Sequence, residues 1–212
     1  MKCNQNNCLL LATRNQGKIK ELGEMLKSFK LEVLGLEHFP ELEEVEETGK
    51  TFAENALLKA TYAAKASGLY AVADDSGLCV VALHGAPGVF SARYSDQVEN
   101  GKLVAGTDAS NIAKLLAELK DIPKEKRTAR FCCAIAACSP KGRTIVASGS
   151  WEGHIAFELK GENGFGYDPV FICNECNQHV AQLSPEMKNS RSHRAKALKS
   201  LLAQWPNFWK AE

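Results

Sequence analysis

The chain has 212 residues, 45% of them hydrophobic and 24% charged, which suits a packed core in one domain, or in one domain with two lobes. The formal net charge is +1, so no global basic field points to nucleic acid or to an anionic membrane surface. No stretch approaches the ~18 apolar residues of a membrane span, and the apolar run Cys8–Ala12 is too short for the core of a secretory signal. The eight cysteines are therefore expected in a reducing cytoplasm, mostly as free, buried thiols.

Residues 1–8 are expected as a disordered polar tail before a single domain over 9–212, although 8–12 (CLLLA) also has the look of a short buried strand. Thr13–Gly17 is a polar loop, after which Ile19, Leu22, Met25, Leu26 and Phe29 recur at helical spacing. Thr51 and Glu54 form a capping box, which predicts a helix over about 52–67 closed by Gly68. Residues 70–73 and 78–83 read as two strands on either side of a tight turn at Asp74-Asp75-Ser76-Gly77. Residues 110–119 read as a helix. Residues 129–138 and 143–151 read as a strand pair, with Pro140-Lys141-Gly142 in the turn. Pro169–Cys173 reads as a buried strand, and Leu198, Leu201, Leu202 and Trp205 form the apolar stripe of a last helix. Such mixing predicts an α/β fold without deciding its topology.

The small net charge hides two opposed clusters. Residues 41–47 (ELEEVEE) hold five glutamates, and Lys188, Arg191, Arg194, Lys196 and Lys199 gather near the C-terminus with His193. Solvated surface is the ordinary reading of each, but a metal and a polyphosphate would use one cluster of each sign. The segment Thr13-Arg14-Asn15-Gln16-Gly17-Lys18 follows a strand and opens a helix, where free N–H groups, the helix dipole and a lysine favour a phosphate. It lacks the glycine spacing and the Ser/Thr of a Walker loop, and a plain connection reads the same way. Asn55 and Lys59 share a helix face. Asp74 and Asp75 are adjacent, and adjacent side chains of an extended segment point opposite ways. Mg²⁺ needs only one or two carboxylates beside substrate phosphates, and the 41–47 glutamates could supply the second. In Gly164-Phe165-Gly166-Tyr167-Asp168-Pro169 the glycines permit close backbone approach and Phe165 offers a face for a base. His193 and Arg194 would stand at a helix start, where cations are disfavoured unless an anion also binds. Cys173, Cys176 and His179 have part of a zinc pattern, with a Cys-rich loop as the simpler reading.

The motifs LATRNQGK (11–18), EETG with TFAENALLKA (46–60), ADDSGL (73–78), GAPGVFSARYS (85–95), GFGYDP (164–169) and SHRAKAL (192–198) occur in the order of the inosine/xanthosine triphosphate pyrophosphatases. The chain resembles that family, its bacterial dITP/XTP members in particular, from about Leu9 to Leu202. The resemblance implies an elongated mixed β-sheet flanked by helices, with two lobes around a central nucleotide-binding cleft, and usually a homodimer. It implies cytoplasmic, Mg²⁺-dependent hydrolysis of deaminated purine triphosphates (ITP, dITP, XTP) to the monophosphate and pyrophosphate, which cleanses the pool that feeds DNA and RNA synthesis. By resemblance Thr13, Asn15 and Lys18, within the loop that also holds Arg14, Gln16 and Gly17, would hold the triphosphate together with Lys59 and Lys188. Asp75 would be proton acceptor and metal ligand, Asp74 would support the metal water, and Glu46 or Glu47 would bind the metal. Ser76 and Arg93 would touch the nucleotide, and Phe165, Gly166, Tyr167, Asp168, His193 and Arg194 would form the purine pocket. The chain departs from relatives at His179-Val180-Ala181-Gln182 and in the cysteines of 173–178. A pyrimidine triphosphate pyrophosphatase, a nucleotide sensor and an RNA-binding protein using the 188–199 patch are the rival readings.

Overall fold

The computed structural model describes residues 8–27, 31–99 and 102–210. In chain order the main elements are β1 (Cys8–Leu11), α1 (Gln16–Leu26), β2 (Glu32–Gly35), α2 (Phe52–Ser67), β3 (Tyr70–Val80), β4 (Gln97–Glu99), β5 (Lys102–Val104), α3 (Asp108–Glu118), β6 (Thr128–Cys138), β7 (Thr144–Ile155), β8 (Phe171–Cys173), β9 (Gln178–His179), α4 (Pro185–Arg191) and α5 (His193–Lys210). Seven strands form one mixed sheet in the order β2-β1-β3-β6-β7-β8-β9, and β4 and β5 form a separate antiparallel pair. β1 runs parallel to both β2 and β3, whereas β8 is antiparallel to β7 and β9.

The chain divides into two compact units. The first contains residues 1–75, 133–149 and 193–212; the second contains 76–132 and 150–192. In the first unit the central strands β1, β3 and β6 are buried on both faces. Leu9, Leu11, Tyr70, Val72, Cys133 and Ile135 pack with Leu22 and Leu26 of α1 and with Ala197 and Leu201 of α5. The alternate residues Leu10, Ala71, Ala73, Ala134 and Ala136 pack with Ala56, Ala60, Ala63 and Ala64 of α2. This is the period-two alternation of a strand sandwiched between helices, and the small side chains on the α2 face let that helix lie close. The core of the second unit joins Leu78, Val80, Phe131, Trp151 and Phe171 to Ile112 and Leu115 of α3 and to Leu119, which caps that helix.

α2 has the predicted limits. Thr51 accepts from the Glu54 amide, the Glu54 side chain returns to the Thr51 amide, and Gly68 closes the helix in the left-handed region. The strand pair around the Pro140–Gly142 turn is also present, with β7 running on to Ile155. Three expectations are corrected. Asp74-Asp75-Ser76-Gly77 is not a turn: β3 is one strand over Tyr70–Val80, and residues 81–83 form a short 3₁₀ turn after it. Cys8, assigned to the tail, is a buried residue of β1, paired in register with Glu32. Cys173 and Cys176 are joined in a disulfide rather than free, with Cα atoms 5.9 Å apart, inside the span a disulfide needs. Met1–Asn7 and Phe29 lie outside the described residues.

Candidate active site

The loop after β1 is built from its own side chains. The Asn15 amide donates to Thr13 Oγ1 at 3.2 Å, and Asn15 Oδ1 accepts from the Lys18 amide at 3.1 Å, making Asn15 the N-cap of α1. Arg14 donates to the Leu42 carbonyl at 2.8 Å, which ties the acidic 41–47 segment to this loop. Gln16 is exposed and Gly17 half-buried beside it. Lys18, in the first turn of α1, brings its ammonium to 3.1 Å from Asp74 Oδ1.

Alternation along β3 sends the two aspartates to opposite faces of the sheet. Asp74 continues the Tyr70, Val72 row toward α1 and α5. It is fully buried among cations: Arg194 donates to Asp74 Oδ2 from Nε at 3.2 Å and from Nη2 at 3.1 Å, and a further N–H of the same guanidinium is held by Glu21 of α1. The Cys133 thiol also donates to Asp74 Oδ2, at 3.8 Å. Burial alone would raise the Asp74 carboxyl, but Lys18 and Arg194 outweigh it and hold it well below the ordinary carboxylate range.

Asp75 continues the Ala71, Ala73 row toward α2. Asn55 Nδ2 donates to Asp75 Oδ2 at 3.0 Å, while Asn55 Oδ1 accepts from the Gly49 amide at 2.8 Å and is thereby fixed in orientation. Lys59, one helical turn along, lies 2.6 Å from Glu47 Oε1 and 3.6 Å from Asp75 Oδ1. Here burial dominates: it pushes the Asp75 carboxyl up, Lys59 opposes it, and the Glu47 carboxylate adds to the rise. Burial draws the Lys59 ammonium down, yet Asp75 and Glu47 together hold it above its usual value.

Glu47 and Asp75 thus present carboxylate oxygens to one ammonium, so both reach a single cation-sized point. Hard oxygen donors in that arrangement fit Mg²⁺, which takes one or two carboxylates and completes its shell with water and phosphate. Glu46 is exposed and gives its backbone carbonyl to the Thr48 amide; Glu47 is the glutamate that faces Lys59.

The second unit carries a separate cluster. Asp168 Oδ2 accepts from Lys188 Nζ at 2.5 Å and from the Phe165 amide at 3.0 Å. The Lys188 ammonium also lies 4.6 Å from the centroid of the Phe165 ring, a cation–π contact. The turn needs glycine at 164, where φ is +80° and a Cβ would meet Asp168 Oδ2 at 1.9 Å. The Gly166 amide donates to Asp108 at 2.7 Å, and the buried Tyr167 hydroxyl donates to the Ser91 carbonyl at 2.9 Å. Phe165 is half-buried, so a flat ring edged by a lysine and fixed backbone groups remains partly accessible. Ser76 is half-buried in β3, and Arg93 stacks over Phe90 at 5.2 Å.

A family model described as the Ham1 family matches residues 9–204. This chain belongs to the Ham1 family. The dITP/XTP pyrophosphatase of Nitratidesulfovibrio vulgaris is 58% identical over 203 residues, covering 95% of this chain and 97% of the relative. That of Desulforamulus reducens is 52% identical over 92% of this chain and 93% of its own length. The solved Ham1 protein of Coxiella burnetii superposes with a TM-score of 0.81 at 40% identity, covering 94% of this chain and 98% of that one. The motifs therefore identified the family correctly, and the mixed α/β sheet flanked by helices is its fold.

Within this Ham1 chain, Lys18, Asp74, Arg194, Glu47, Lys59 and Asp75 gather in the first unit, and Phe165, Gly166, Tyr167, Asp168 and Lys188 in the second. The guanidinium of Arg194, a residue expected in the purine pocket, is buried and paired with Asp74 and Glu21. His193 is buried beside it at the start of α5. Sequence reasoning missed three contributors: Glu21, Cys133 and Asp108. Glu21 alone left a signal, because it stands three residues after Lys18 and so on the same face of α1, within the apolar stripe. Cys173, Cys176 and His179 hold no metal arrangement; the cysteines are bonded, and His179 Nδ1 lies 2.7 Å from the Pro169 carbonyl. Among the described residues no group of three or more His, Cys, Asp or Glu is placed to hold a metal.

Proposed function

We propose that this chain is a Mg²⁺-dependent pyrophosphatase that converts ITP, dITP and XTP to the monophosphate and pyrophosphate, removing deaminated purines before they enter DNA or RNA. The observation that carries the reading is Asp75. Its carboxylate is oriented by Asn55, approached by Lys59 and raised in pKa by burial. A carboxylate made more basic than an exposed one is suited to take a proton from an attacking water. Bound at Glu47 and Asp75, Mg²⁺ would supply charge neutralisation for the polyphosphate and the leaving pyrophosphate.

The protein's own share is positioning and electrostatics. Lys59 and Lys18 supply positive charge for phosphate oxygens. Asp74 holds Lys18 in place and is itself anchored by Arg194. In the second unit Phe165 offers a stacking face and Lys188 adds positive charge for the triphosphate. The segment around Gly164–Asp168, with His193 and Arg194, would supply the groups that read a 6-oxo purine. A donor facing the 6-amino group of adenine would lose its partner at about 1–3 kcal/mol, which favours ITP over ATP. The names of the relatives support the same substrates. We extend the proposal to a homodimer acting in the cytoplasm; no described helix is long and apolar enough to cross a membrane.

Pyrophosphate release measured across a panel of nucleotides tests the reading. ITP, dITP and XTP should turn over at least about tenfold faster than ATP, consistent with one lost buried hydrogen bond, and faster than GTP, and a chelator should abolish the reaction. Equal turnover of ITP and GTP would overturn the substrate assignment.

A further inference from the structure

Two free cysteines form a pair that the hydrolytic reading does not use. Cys79 lies in β3 and Cys132 in β6, neighbouring strands of the sheet, and their thiols hydrogen bond to each other. Both are half-buried, whereas the other free cysteines, Cys133 and Cys138, are buried. An oxidant in solution therefore has access to this pair and little to the rest. The charged groups around Cys132 are Arg130, two residues earlier on the same strand, and Glu152 of β7.

The two sulfurs are not equivalent. The hydrogen bond from Cys79 pulls the Cys132 thiol down to about 7; burial works against this, and Arg130 assists. The same hydrogen bond, with burial, pushes Cys79 up, so it keeps its proton. Cys133 shows the opposite environment, since burial and the Asp74 carboxylate both push its thiol up. An accessible thiolate beside a protonated partner is the arrangement of a peroxide-reactive cysteine and its resolving cysteine.

We propose that Cys79 and Cys132 are a peroxide-responsive dithiol that closes to a disulfide between β3 and β6. The Cys132 thiolate attacks one oxygen of hydrogen peroxide and the O–O bond breaks. The sulfur is oxidised to a sulfenic acid, and the other oxygen leaves as hydroxide and is protonated to water. The Cys79 sulfur then attacks the Cys132 sulfur: the S–S bond forms, the S–O bond breaks, and the departing hydroxide leaves as water with the Cys79 proton. Two thiols and one peroxide give one disulfide and two waters. Successive side chains of a strand alternate between faces, and Leu78, Val80, Ala129 and Phe131 pack in one core, so Cys79 and Cys132 share the other face of these neighbouring strands and the disulfide would form within that face.

The test is peptide mapping by mass spectrometry of the full-length protein after graded hydrogen peroxide. The expected result is a Cys79–Cys132 linked peptide pair that appears before any oxidation of Cys133 or Cys138 and disappears with a thiol reductant. In Cys79→Ser a cyclic diketone that traps sulfenic acids should label Cys132 instead, and Cys132→Ser should lower the rate of peroxide consumption at least about tenfold. The wild-type map is decisive even if a variant folds poorly. Oxidation of Cys133 or Cys138 at the same dose without a Cys79–Cys132 link, or unchanged peroxide consumption in folded Cys132→Ser, would overturn the proposal.

Discussion

Asp74 and Asp75 are consecutive residues of one strand, with the same side chain, and the fold treats them as opposites. Asp74 faces α1 and α5, is fully buried, and meets Lys18, Arg194 and the Cys133 thiol. Asp75 faces α2, keeps some exposure, and meets the Asn55 amide and the Lys59 ammonium that it shares with Glu47. Both carboxyls are desolvated, but the cations around Asp74 outweigh burial and lower its pKa, whereas burial of Asp75 outweighs Lys59 and raises it. The difference teaches that burial does not decide the character of a carboxylate; the balance of partners on its face does. One aspartate becomes an anchor for the framework, and the other is left poised to exchange a proton.

The largest effect should separate the two by activity. Asp75→Asn is expected to lower kcat for ITP by about 10³-fold, within the range for loss of a general base, while nucleotide binding and thermal stability hold. The sign for stability follows from linkage. A carboxyl raised on folding costs stability at neutral pH, and that cost is relieved as pH falls through the raised folded value. Asp75→Asn should therefore be neutral or slightly stabilising near pH 7, as measured by thermal melting, and near-normal kcat would remove Asp75 from the chemistry.

Next in size, the Asp74 side should show in stability. Arg194→Met leaves Asp74 and Glu21 without their shared guanidinium, and urea unfolding should report a loss of about 3–5 kcal/mol, the cost of breaking a buried pair. Because the Asp74 carboxyl is lowered on folding, its contribution is complete above the ordinary value of 3.8 and fades as pH falls below it toward the depressed folded value. A fully stable Arg194→Met would show that the cluster is not an anchor.

The smallest contrast lies within the acidic segment. Glu47→Gln should raise the Mg²⁺ concentration for half-maximal activity about tenfold, at the lower end expected for disturbing a metal site, whereas Glu46→Gln should leave it unchanged. Magnesium titration of the two variants checks this, and equal shifts would reopen the choice between the two glutamates.

Local chemistry made some of this legible. The limits of α2 could be read because Thr51, Glu54 and Gly68 satisfy the helix ends with groups a few residues away. The β6–β7 pair could be read from its apolar runs and the turn between them. The same local reasoning misread Asp-Asp-Ser-Gly, since turn propensity is a property of four residues while β3 is held straight by neighbouring strands in the sheet. The contacts of Arg194 were not legible for a similar reason: its partners lie 120 and 173 residues away in the chain, and no spacing rule links them.

By itself the sequence determined the family, the mixed α/β class and the limits of its best-capped helix. Tertiary structure decided which aspartate is set among Lys18 and Arg194 and which beside Asn55 and Lys59, which glutamate meets Lys59, and that Arg194 reaches Asp74. Residue type and order are written along the chain. The face a strand turns to each helix, and hence the charges that surround a carboxylate, exist only once segments far apart in sequence have packed together.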